Sequence, residues 1–155
     1  MPFNVLFVCL GNICRSPLAE AVFRKQVIEA GLGDKIGVDS AGTGGWHVGD
    51  PPDRRMRHTA ASHDVSLDDI RARQFGRDDL KKFDLILAMD RSNLHDILRM
   101  AGPDERSKVK LFRSFDELGG DQSDVPDPYY GGPEGFERVF EIVDRTSKRI
   151  LSSIA

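Results

Sequence analysis

The sequence predicts an α/β protein built around a parallel sheet. Apolar runs rich in β-forming residues alternate along the chain with segments that show helical spacing. The first apolar run, residues 4–9, is continuous, which is typical of a strand buried on both faces. Alternation of this kind favours parallel strands joined by right-handed crossovers. At 155 residues, the chain fits a single domain over 1–155.

The first unit is predicted to be a strand, a tight loop and a helix. The strand should end at Gly11 and Asn12, because both residue types tolerate left-handed backbone angles. Ser16 is expected to cap the following helix, with Pro17 at its first position. Gly31 should end that helix.

Later segments repeat this alternation up to a last helix that begins near Pro133. Asp90 is expected to cap one of these helices, which runs through Leu98. The further strands are predicted at 36–41, 85–89 and 109–112, and the further helices at 52–63, 78–83, 90–98 and 133–154. The sequence therefore predicts four strands.

Composition describes an ordinary globular protein, with 39% hydrophobic and 30% charged residues. The longest apolar run, from Val5 to Leu10, is too short to cross a bilayer, and no export signal is recognisable. The formal net charge of −3 does not favour nucleic-acid binding. We therefore expect a cytoplasmic monomer with no membrane or nucleic-acid partner.

The loop after the first strand begins with Cys9 and ends near Arg15, six residues later. In open parallel sheets, ligands bind where strand ends and helix N-termini meet. The backbone amides of this loop would form an anion cradle with the positive end of the next helix. The missing Gly-Lys-Ser/Thr ending excludes a nucleotide P-loop. The other residues of this predicted phosphate-binding loop are Leu10, Gly11, Asn12, Ile13, Cys14 and Ser16.

This loop predicts nucleophilic attack on a phosphoryl group. Arg15 can hold two phosphate oxygens in a planar fork, which lysine cannot do. The same positive surroundings favour Cys9 as a thiolate placed for in-line attack. Ser16 could donate a hydrogen bond to the sulfur when the thiolate leaves again. For Cys9 alone, the alternative is a buried strand-end cysteine, but the combination favours catalysis.

The chain resembles the low-molecular-weight protein tyrosine phosphatases. The resemblance begins in residues 5–21, which contain Cys-Leu-Gly-Asn-Ile-Cys-Arg-Ser-Pro, and resumes at 39–43, 87–90 and 127–131. It implies a four-stranded parallel sheet flanked by helices on both faces. It also implies a two-step mechanism through a phosphocysteine, without metal or other cofactor. The implied partners are phosphotyrosine-containing proteins, a tyrosine kinase among them.

The resemblance also assigns a general acid. Asp127 lies in Asp-Pro-Tyr-Tyr, which matches the acid motif of the family. It would protonate the departing tyrosine oxygen and then activate the water that hydrolyses the intermediate. Pro128 stiffens the backbone beside it. Asp124 is the nearest alternative acid, but it lacks the Pro-Tyr-Tyr context.

Aromatic residues in polar loops are candidates for the walls of the substrate pocket. Trp46, Tyr129 and Tyr130 could enclose a phenol ring, whereas the alternative is core packing. The resemblance supports Trp46 and Tyr129 in this role. It also matches Asn12 and Ser40 to residues that hold the phosphate-binding loop in shape.

Three further features bear on this site. Ile70 occupies the place where many relatives have a histidine that tethers the loop asparagine, so we expect a weaker or replaced tether. By resemblance, Cys14 could trap an oxidised Cys9 as a disulfide, and the alternative is a small packed residue. The histidines show no metal-ligand spacing, and surface positions are expected for His47, His58, His63 and His95.

Three other activities compete with tyrosine dephosphorylation. Arsenate reduction on this fold passes a disulfide along further cysteines, and this chain has none after Cys14. Phosphoarginine phosphatases typically have threonine where this chain has Ile13. A non-hydrolytic phosphate carrier would not need an acid at Asp127.

Overall fold

Four parallel strands form the sheet in the computed structural model, which describes residues 2–119, 123–129 and 131–155. The strands are β1 (Phe3–Cys9), β2 (Ile36–Gly42), β3 (Leu85–Ala88) and β4 (Val109–Leu111). The helices are α1 (Arg15–Glu29), α2 (Arg54–Ser62), α3 (Asp79–Lys82), α4 (Arg91–Met100) and α5 (Pro133–Ile154), with short 3-10 helices at Arg106–Lys108 and Phe112–Phe115. The strand order is β2-β1-β3-β4, and every neighbouring pair is parallel. The predicted α/β fold with a four-stranded parallel sheet is confirmed.

Strand β1 lies inside the sheet because its side chains are apolar on both faces. Val5 and Phe7 pack in the cluster that contains residues of α1 and α5. Leu6 and Val8 pack in a second cluster with residues of α3 and α4. All four side chains are fully buried, and such burial contributes about 1.5–3 kcal/mol for each large apolar residue. Helices therefore cover both faces of the sheet, as predicted.

Helix α5 packs on the sheet through one apolar face. The large apolar residues buried on this face include Phe136, Val139, Phe140, Val143 and Ile150. The core beside it contains Phe7, whose ring meets those of Phe23 and Phe112 edge to face, with centroids 5.6 and 5.9 Å apart. Within the described ranges, no helix is both long enough and apolar enough to span a bilayer.

The start of α1 differs from the prediction. Cys14, not Ser16, occupies the N-cap position. The Ser16 hydroxyl lies 3.0 Å from the sulfur of Cys9, so it serves the loop and not the helix end. Pro17 fits in the first turn because the N–H groups there have no partner within the helix.

Two other predicted helix signals are confirmed. Asp90 caps α4, because its Oδ1 atom accepts a 2.8 Å hydrogen bond from the Asn93 N–H. Gly31 follows α1 with a φ of +75°, a left-handed conformation that glycine adopts without strain.

The carboxyl ends of β1 and β2 hold the loop that follows β1. Beyond β2, the N–H of Thr43 donates to the Cys9 carbonyl and that of Gly44 to the Leu10 carbonyl, each at 2.9 Å. A Cβ on Gly42 would lie 2.9 Å from the Leu10 carbonyl oxygen, so this contact requires glycine. The loop is thus fixed at the edge of the sheet where ligands are expected.

Candidate active site

A cavity of about 360 Å³ opens at the carboxyl end of β1. Its lining residues are Cys9, Leu10, Gly11, Ile13, Cys14, Arg15, Trp46, His47, Asp127 and Tyr129. The structure therefore brings the predicted nucleophile, arginine and acid to one cavity. Three other predicted residues are buried in or beside the loop that follows β1: Asn12, Ser16 and Ser40. Tyr130, also predicted for the pocket, lies outside the described residues.

The sulfur of Cys9 has two polar neighbours from its own loop. The Ser16 hydroxyl oxygen lies 3.0 Å from it, and the Asn12 N–H donates to it at 3.3 Å. Hydrogen bonds of this kind strengthen when the acceptor carries a charge. The Cys9 residue is 3% exposed and lines the cavity, so a ligand in the cavity can contact the sulfur beside these two polar groups. This environment suits a thiolate.

The buried residue Asn12 stabilises the loop that follows β1. Its backbone has a φ of +57°, a left-handed conformation that asparagine tolerates better than most residues. The side-chain Nδ2 atom donates to the hydroxyls of Ser16 at 2.8 Å and Ser40 at 3.0 Å. The Ser40 hydroxyl in turn donates to Oε1 of Glu20 at 2.5 Å. Glu20, which the sequence analysis missed, therefore completes a buried chain of hydrogen bonds behind the loop.

The tether expected at Ile70 is replaced by a backbone group. Ile70 is 8% exposed and packs in the apolar core. The N–H of Arg73 donates to Oδ1 of Asn12 at 3.0 Å instead. The Arg73 guanidinium is held by Asp39 and Asp79. Burial alone would lower the pKa of Arg73, but Asp79 and Asp39 raise it. The loop asparagine thus keeps a fixed partner.

Arg15 is buried and fixed through one of its terminal nitrogens. Its Nη1 atom donates to Oδ2 of Asp90 at 2.7 Å and to the Val125 carbonyl at 3.0 Å. Its Nη2 atom lies 3.7 Å from Oδ2 of Asp127. Burial alone would lower the pKa of Arg15, but the charges of Cys9 and Asp90 raise it. The guanidinium therefore stays charged and keeps its orientation.

The segment that contains Asp127 is anchored to the sheet. The N–H of Val125 donates to the Met89 carbonyl, at the end of β3, at 2.7 Å. Asp127 lies between two prolines, and its Oδ1 atom accepts a 3.1 Å hydrogen bond from the Tyr129 N–H. Its side chain is 44% exposed at the cavity. The carboxylate is therefore accessible to a ligand while its backbone is restrained.

The alternative acid, Asp124, is not among the residues that line the cavity. Its Oδ1 atom accepts hydrogen bonds from the backbone N–H of Arg91 at 2.9 Å and from Nε of the same residue at 3.2 Å. Its backbone carbonyl accepts from Arg113 at 3.0 Å. Asp124 thus binds the start of α4 and holds the loop before Asp127.

Three apolar side chains at the cavity are unusually exposed for their size. Trp46 is 67% exposed, Leu10 is 42% exposed and Tyr129 is 36% exposed. Core packing would bury such side chains, so they form a rim. Flat rings at a rim can enclose an aromatic group of a ligand.

His47 lies at the cavity, although the sequence analysis expected only a surface position. A Cβ on Gly11 would lie 3.0 Å from Cδ2 of the His47 ring, so the imidazole packs directly on the phosphate-binding loop. Its Nδ1 atom is 3.1 Å from Oδ2 of Asp50. The available signal was its position next to Trp46 in the same glycine-rich loop. Gly11 itself has no positive φ, so this close contact accounts for the glycine.

The remaining histidines lie away from this cavity. His58 and His95 are exposed. The His63 ring stacks on Phe140 with centroids 3.9 Å apart. Across residues 2–119, 123–129 and 131–155, no three His, Cys, Asp or Glu side chains are grouped so that they could hold a metal ion.

Cys14 differs chemically from Cys9. Both cysteines are buried free thiols. Burial raises the pKa of the Cys14 thiol, and the negative charges of Asp53 and Cys9 raise it further. Cys14 is therefore a neutral thiol at neutral pH and a poor nucleophile.

The family model for low molecular weight phosphotyrosine protein phosphatase matches residues 4–155 of this chain. The chain belongs to this family. One relative is a low molecular weight protein-tyrosine-phosphatase of Streptomyces coelicolor, 48% identical over 99% of this chain and 94% of the relative. Another is the low molecular weight protein-tyrosine-phosphatase YfkJ of Bacillus subtilis, 45% identical over 97% of this chain and 95% of the relative.

Solved phosphatases share the fold. A protein tyrosine phosphatase from Entamoeba histolytica, with Hepes in its active site, superposes with a TM-score of 0.94 at 38% identity. The match covers 98% of this chain and 96% of that one. YfkJ from Bacillus subtilis superposes with a TM-score of 0.92 at 44% identity and covers 99% and 95% of the two chains. The predicted family and fold are confirmed.

Proposed function

We propose that this member of the phosphatase family hydrolyses phosphotyrosine in proteins through a phosphocysteine on Cys9. One observation carries the proposal: Cys9, Arg15 and Asp127 line the same cavity, and Arg15 lies 3.7 Å from Asp127. A nucleophile, a phosphate-binding cation and an acid are the groups that this reaction needs.

Phosphate binding would use the start of α1 and Arg15. The first turn of α1 contains no acidic residue, and Cys14 at its N-cap makes no side-chain capping hydrogen bond within the described residues. The N–H groups there can therefore bind an anion, helped by the helix dipole. Arg15 keeps Nη2 for a phosphate oxygen because Nη1 is held by Asp90 and Val125.

In the first step, the Cys9 thiolate attacks phosphorus and an S–P bond forms. The bond from phosphorus to the tyrosine oxygen breaks, and the protonated Asp127 carboxyl gives its proton to that oxygen. Arg15 and the loop amides meet the charge that develops on the other phosphoryl oxygens. The products of this step are the dephosphorylated tyrosine side chain of the substrate protein and phosphocysteine.

In the second step, water attacks phosphorus and gives a proton to the Asp127 carboxylate. The S–P bond breaks, and inorganic phosphate and the Cys9 thiolate are released. Ser16, whose hydroxyl lies 3.0 Å from the sulfur, donates a hydrogen bond to the departing anion. Both catalytic groups return to their starting protonation states.

An aromatic phosphoester suits the cavity better than a phosphoarginine. The rim contains the exposed rings of Trp46 and Tyr129, and Ile13 adds an apolar wall. Asp127 at the cavity also favours hydrolysis over storage of phosphate on Cys9, since a carrier has no leaving oxygen to protonate.

We also propose a cytoplasmic monomer as the working form. The proposed nucleophile, arginine and acid of a single chain line the same cavity, so one chain supplies all three groups. Cys9 and Cys14 are free thiols, the state that a reducing compartment maintains. The substrates would be proteins phosphorylated by a tyrosine kinase, since only such an enzyme makes this phosphoester. When a peroxide oxidises the Cys9 thiolate to a sulfenic acid, condensation with the Cys14 thiol would form a disulfide and release water.

Hydrolysis of p-nitrophenyl phosphate and of matched phosphotyrosine, phosphoserine and phosphoarginine peptides tests the proposal. We expect turnover of the two aryl substrates and loss of that turnover in Cys9→Ser, with the fold intact by circular dichroism. Cys9→Ser with substantial activity, or a preference for the phosphoarginine peptide, would contradict it.

A further inference from the structure

A second cavity of about 350 Å³ lies between the start of α2 and the start of α5. The side chains that matter here are those of Arg54, Arg55, His58, Thr59, Pro133 and Phe136. We infer that this cationic cavity binds an anionic group of the same polypeptide whose phosphotyrosine occupies the Cys9 cavity. The group would be a carboxylate or a second phosphoryl group. The inference rests on the proposed function.

The two cavities are neighbours. Tyr129 lines the first cavity and Arg55 lines the second. The Arg55 Nη2 atom donates to the Tyr129 carbonyl at 2.8 Å, and its guanidinium carbon lies 5.3 Å from the centre of the Tyr129 ring. The Asp53 N–H also donates to the Ile13 carbonyl at 2.7 Å, which ties the start of α2 to the phosphate-binding loop. A substrate segment that leaves the first cavity on this side therefore meets the second.

Arg55 is organised by the protein itself. Its Nη2 atom lies 3.0 Å from Oδ2 of Asp53, and its guanidinium carbon lies 4.7 Å from the centre of the buried Phe136 ring. Burial alone would raise the pKa of Asp53, but hydrogen bonds from Arg55 lower it. Asp53 therefore largely neutralises the charge of Arg55. Arg55 is held by these contacts and forms part of the wall of the second cavity.

Arg54 supplies the unmatched charge. It is exposed and has no hydrogen-bond or ion-pair partner among the described residues. His58 lies four residues later, on the same face of α2, and adds a second polar group. Two carboxylates from the described part of the chain adjoin this cavity: that of Asp53 is paired with Arg55, and the Oε2 atom of Glu134 would lie 3.1 Å from a Cβ on Gly132. An arginine with both terminal nitrogens available suits a carboxylate or phosphoryl group.

Paired peptides test this inference. Each peptide carries a phosphotyrosine at its central position, and the flanking positions in turn carry a neutral residue, glutamate or a further phosphotyrosine. For the best flanking position, we expect kcat/KM to be about tenfold higher with the anionic residue, mainly through a lower KM. This difference in kcat/KM between anionic and neutral peptides should decrease at high salt, because Arg54 and the flanking anionic residue are exposed to solvent. Glutamate and phosphotyrosine peptides distinguish the two sources of negative charge.

Variants assign the effect to the second cavity. In Arg54→Ala, kcat/KM should be about the same for the anionic and the neutral peptides. In Arg54→Lys, part of the difference between them should remain. Lys110→Ala, which removes the same charge from the exposed side of the edge strand β4, is the matched control and should keep the full preference. A preference in Arg54→Ala equal to that of the unmodified protein would overturn the inference.

Two measurements distinguish a failure of this inference from a failure of the proposed function. Turnover of p-nitrophenyl phosphate by the unmodified protein tests the Cys9 chemistry without any flanking residue. Calorimetric binding of the same peptides to Cys9→Ser tests the second cavity without turnover. Equal affinity for the neutral and anionic peptides there would reject the second cavity even if Cys9 proves to be the nucleophile.

Discussion

Asp90 orients Arg15 and caps a helix with the same carboxylate. Its Oδ2 atom accepts a 2.7 Å hydrogen bond from Nη1 of Arg15, and its Oδ1 atom accepts from the Asn93 N–H at 2.8 Å. The cap fixes the carboxylate relative to α4 and β3, and the carboxylate fixes the guanidinium. The position of the proposed phosphate-binding cation is thus set by contacts within the fold.

Replacing Arg15 with lysine should be severe, because an ammonium group cannot bind Asp90, Val125 and a phosphate oxygen together. We expect kcat/KM for p-nitrophenyl phosphate to fall by about 10²–10³ in Arg15→Lys, as for other lost oxyanion contacts. Asp90→Asn keeps a good N-cap but removes the charge beside Arg15. It should weaken inhibition by inorganic phosphate and also lower the midpoint of thermal unfolding, because the buried Arg15 guanidinium loses its carboxylate. A mild loss in Arg15→Lys would reject the proposed phosphate geometry.

Asp127→Ala should slow reactions according to how much the leaving group needs a proton. We expect kcat/KM for a phosphotyrosine peptide, which reports phosphoryl transfer to Cys9 and not the later hydrolysis common to all substrates, to fall by about 10²–10³. The loss for p-nitrophenyl phosphate should be smaller, because p-nitrophenolate leaves without protonation. Asp124→Ala is the control, since Asp124 binds Arg91 away from the cavity. Equal losses for both substrates in Asp127→Ala would contradict its role as an acid.

The two thiols should differ in alkylation. The pKa of Cys14 is raised by burial and by the nearby negative charges, so its thiol stays neutral when pH rises past the ordinary thiol value of about 8.5. Iodoacetamide reacts with thiolates. Mass spectrometry of protein labelled from neutral to mildly alkaline pH should therefore find the label on Cys9 and not on Cys14. Labelling of Cys14 that increases near the ordinary thiol value would contradict this assignment.

The sequence predicted the parts of the site that are local in the chain. The loop from Cys9 to Arg15 lies between a buried strand and a helix that are both evident in the sequence. The sequence therefore predicted its place in the fold. Ser16 was wrongly assigned as a cap because a serine before proline has the same local pattern in both roles. Its hydroxyl is instead used by Cys9 and Asn12.

The resemblance indicated Asn12 and Ser40 as supporting residues, but their further partners and that of Arg15 were not predictable because they are distant in the chain. Arg15 and Asp90 are 75 positions apart, and the Asn12 tether from Arg73 spans 61. Glu20 reaches Ser40 across 20 positions. Such pairs depend on how α1 and the strands are placed in three dimensions, which helical or strand periodicity does not specify.

The loop 116–119, directly after the 3-10 helix Phe112–Phe115, begins at a buried charge, Asp116. Its carboxylate is 4% exposed and binds Nε of Arg113 at 2.9 Å and Nε of Arg145 at 3.0 Å. Burial alone would raise the pKa of Asp116, but hydrogen bonds from Arg145 and Arg113 lower it. Its contribution to stability should therefore be complete above the unfolded-state pKa of about 3.9 and be lost as pH falls through the lower folded-state pKa.

Asp116→Asn should lower the free energy of unfolding by about 2–4 kcal/mol at neutral pH, since it leaves two arginines without their carboxylate. Urea unfolding should show this difference narrowing as the pH falls below about 4. The matched control is Glu117→Gln, next in the chain, whose exposed pair with Arg149 should contribute less than about 1 kcal/mol. If the two variants lost the same stability at neutral pH, or if the effect of Asp116→Asn grew in acid, the buried cluster would not be what anchors this loop.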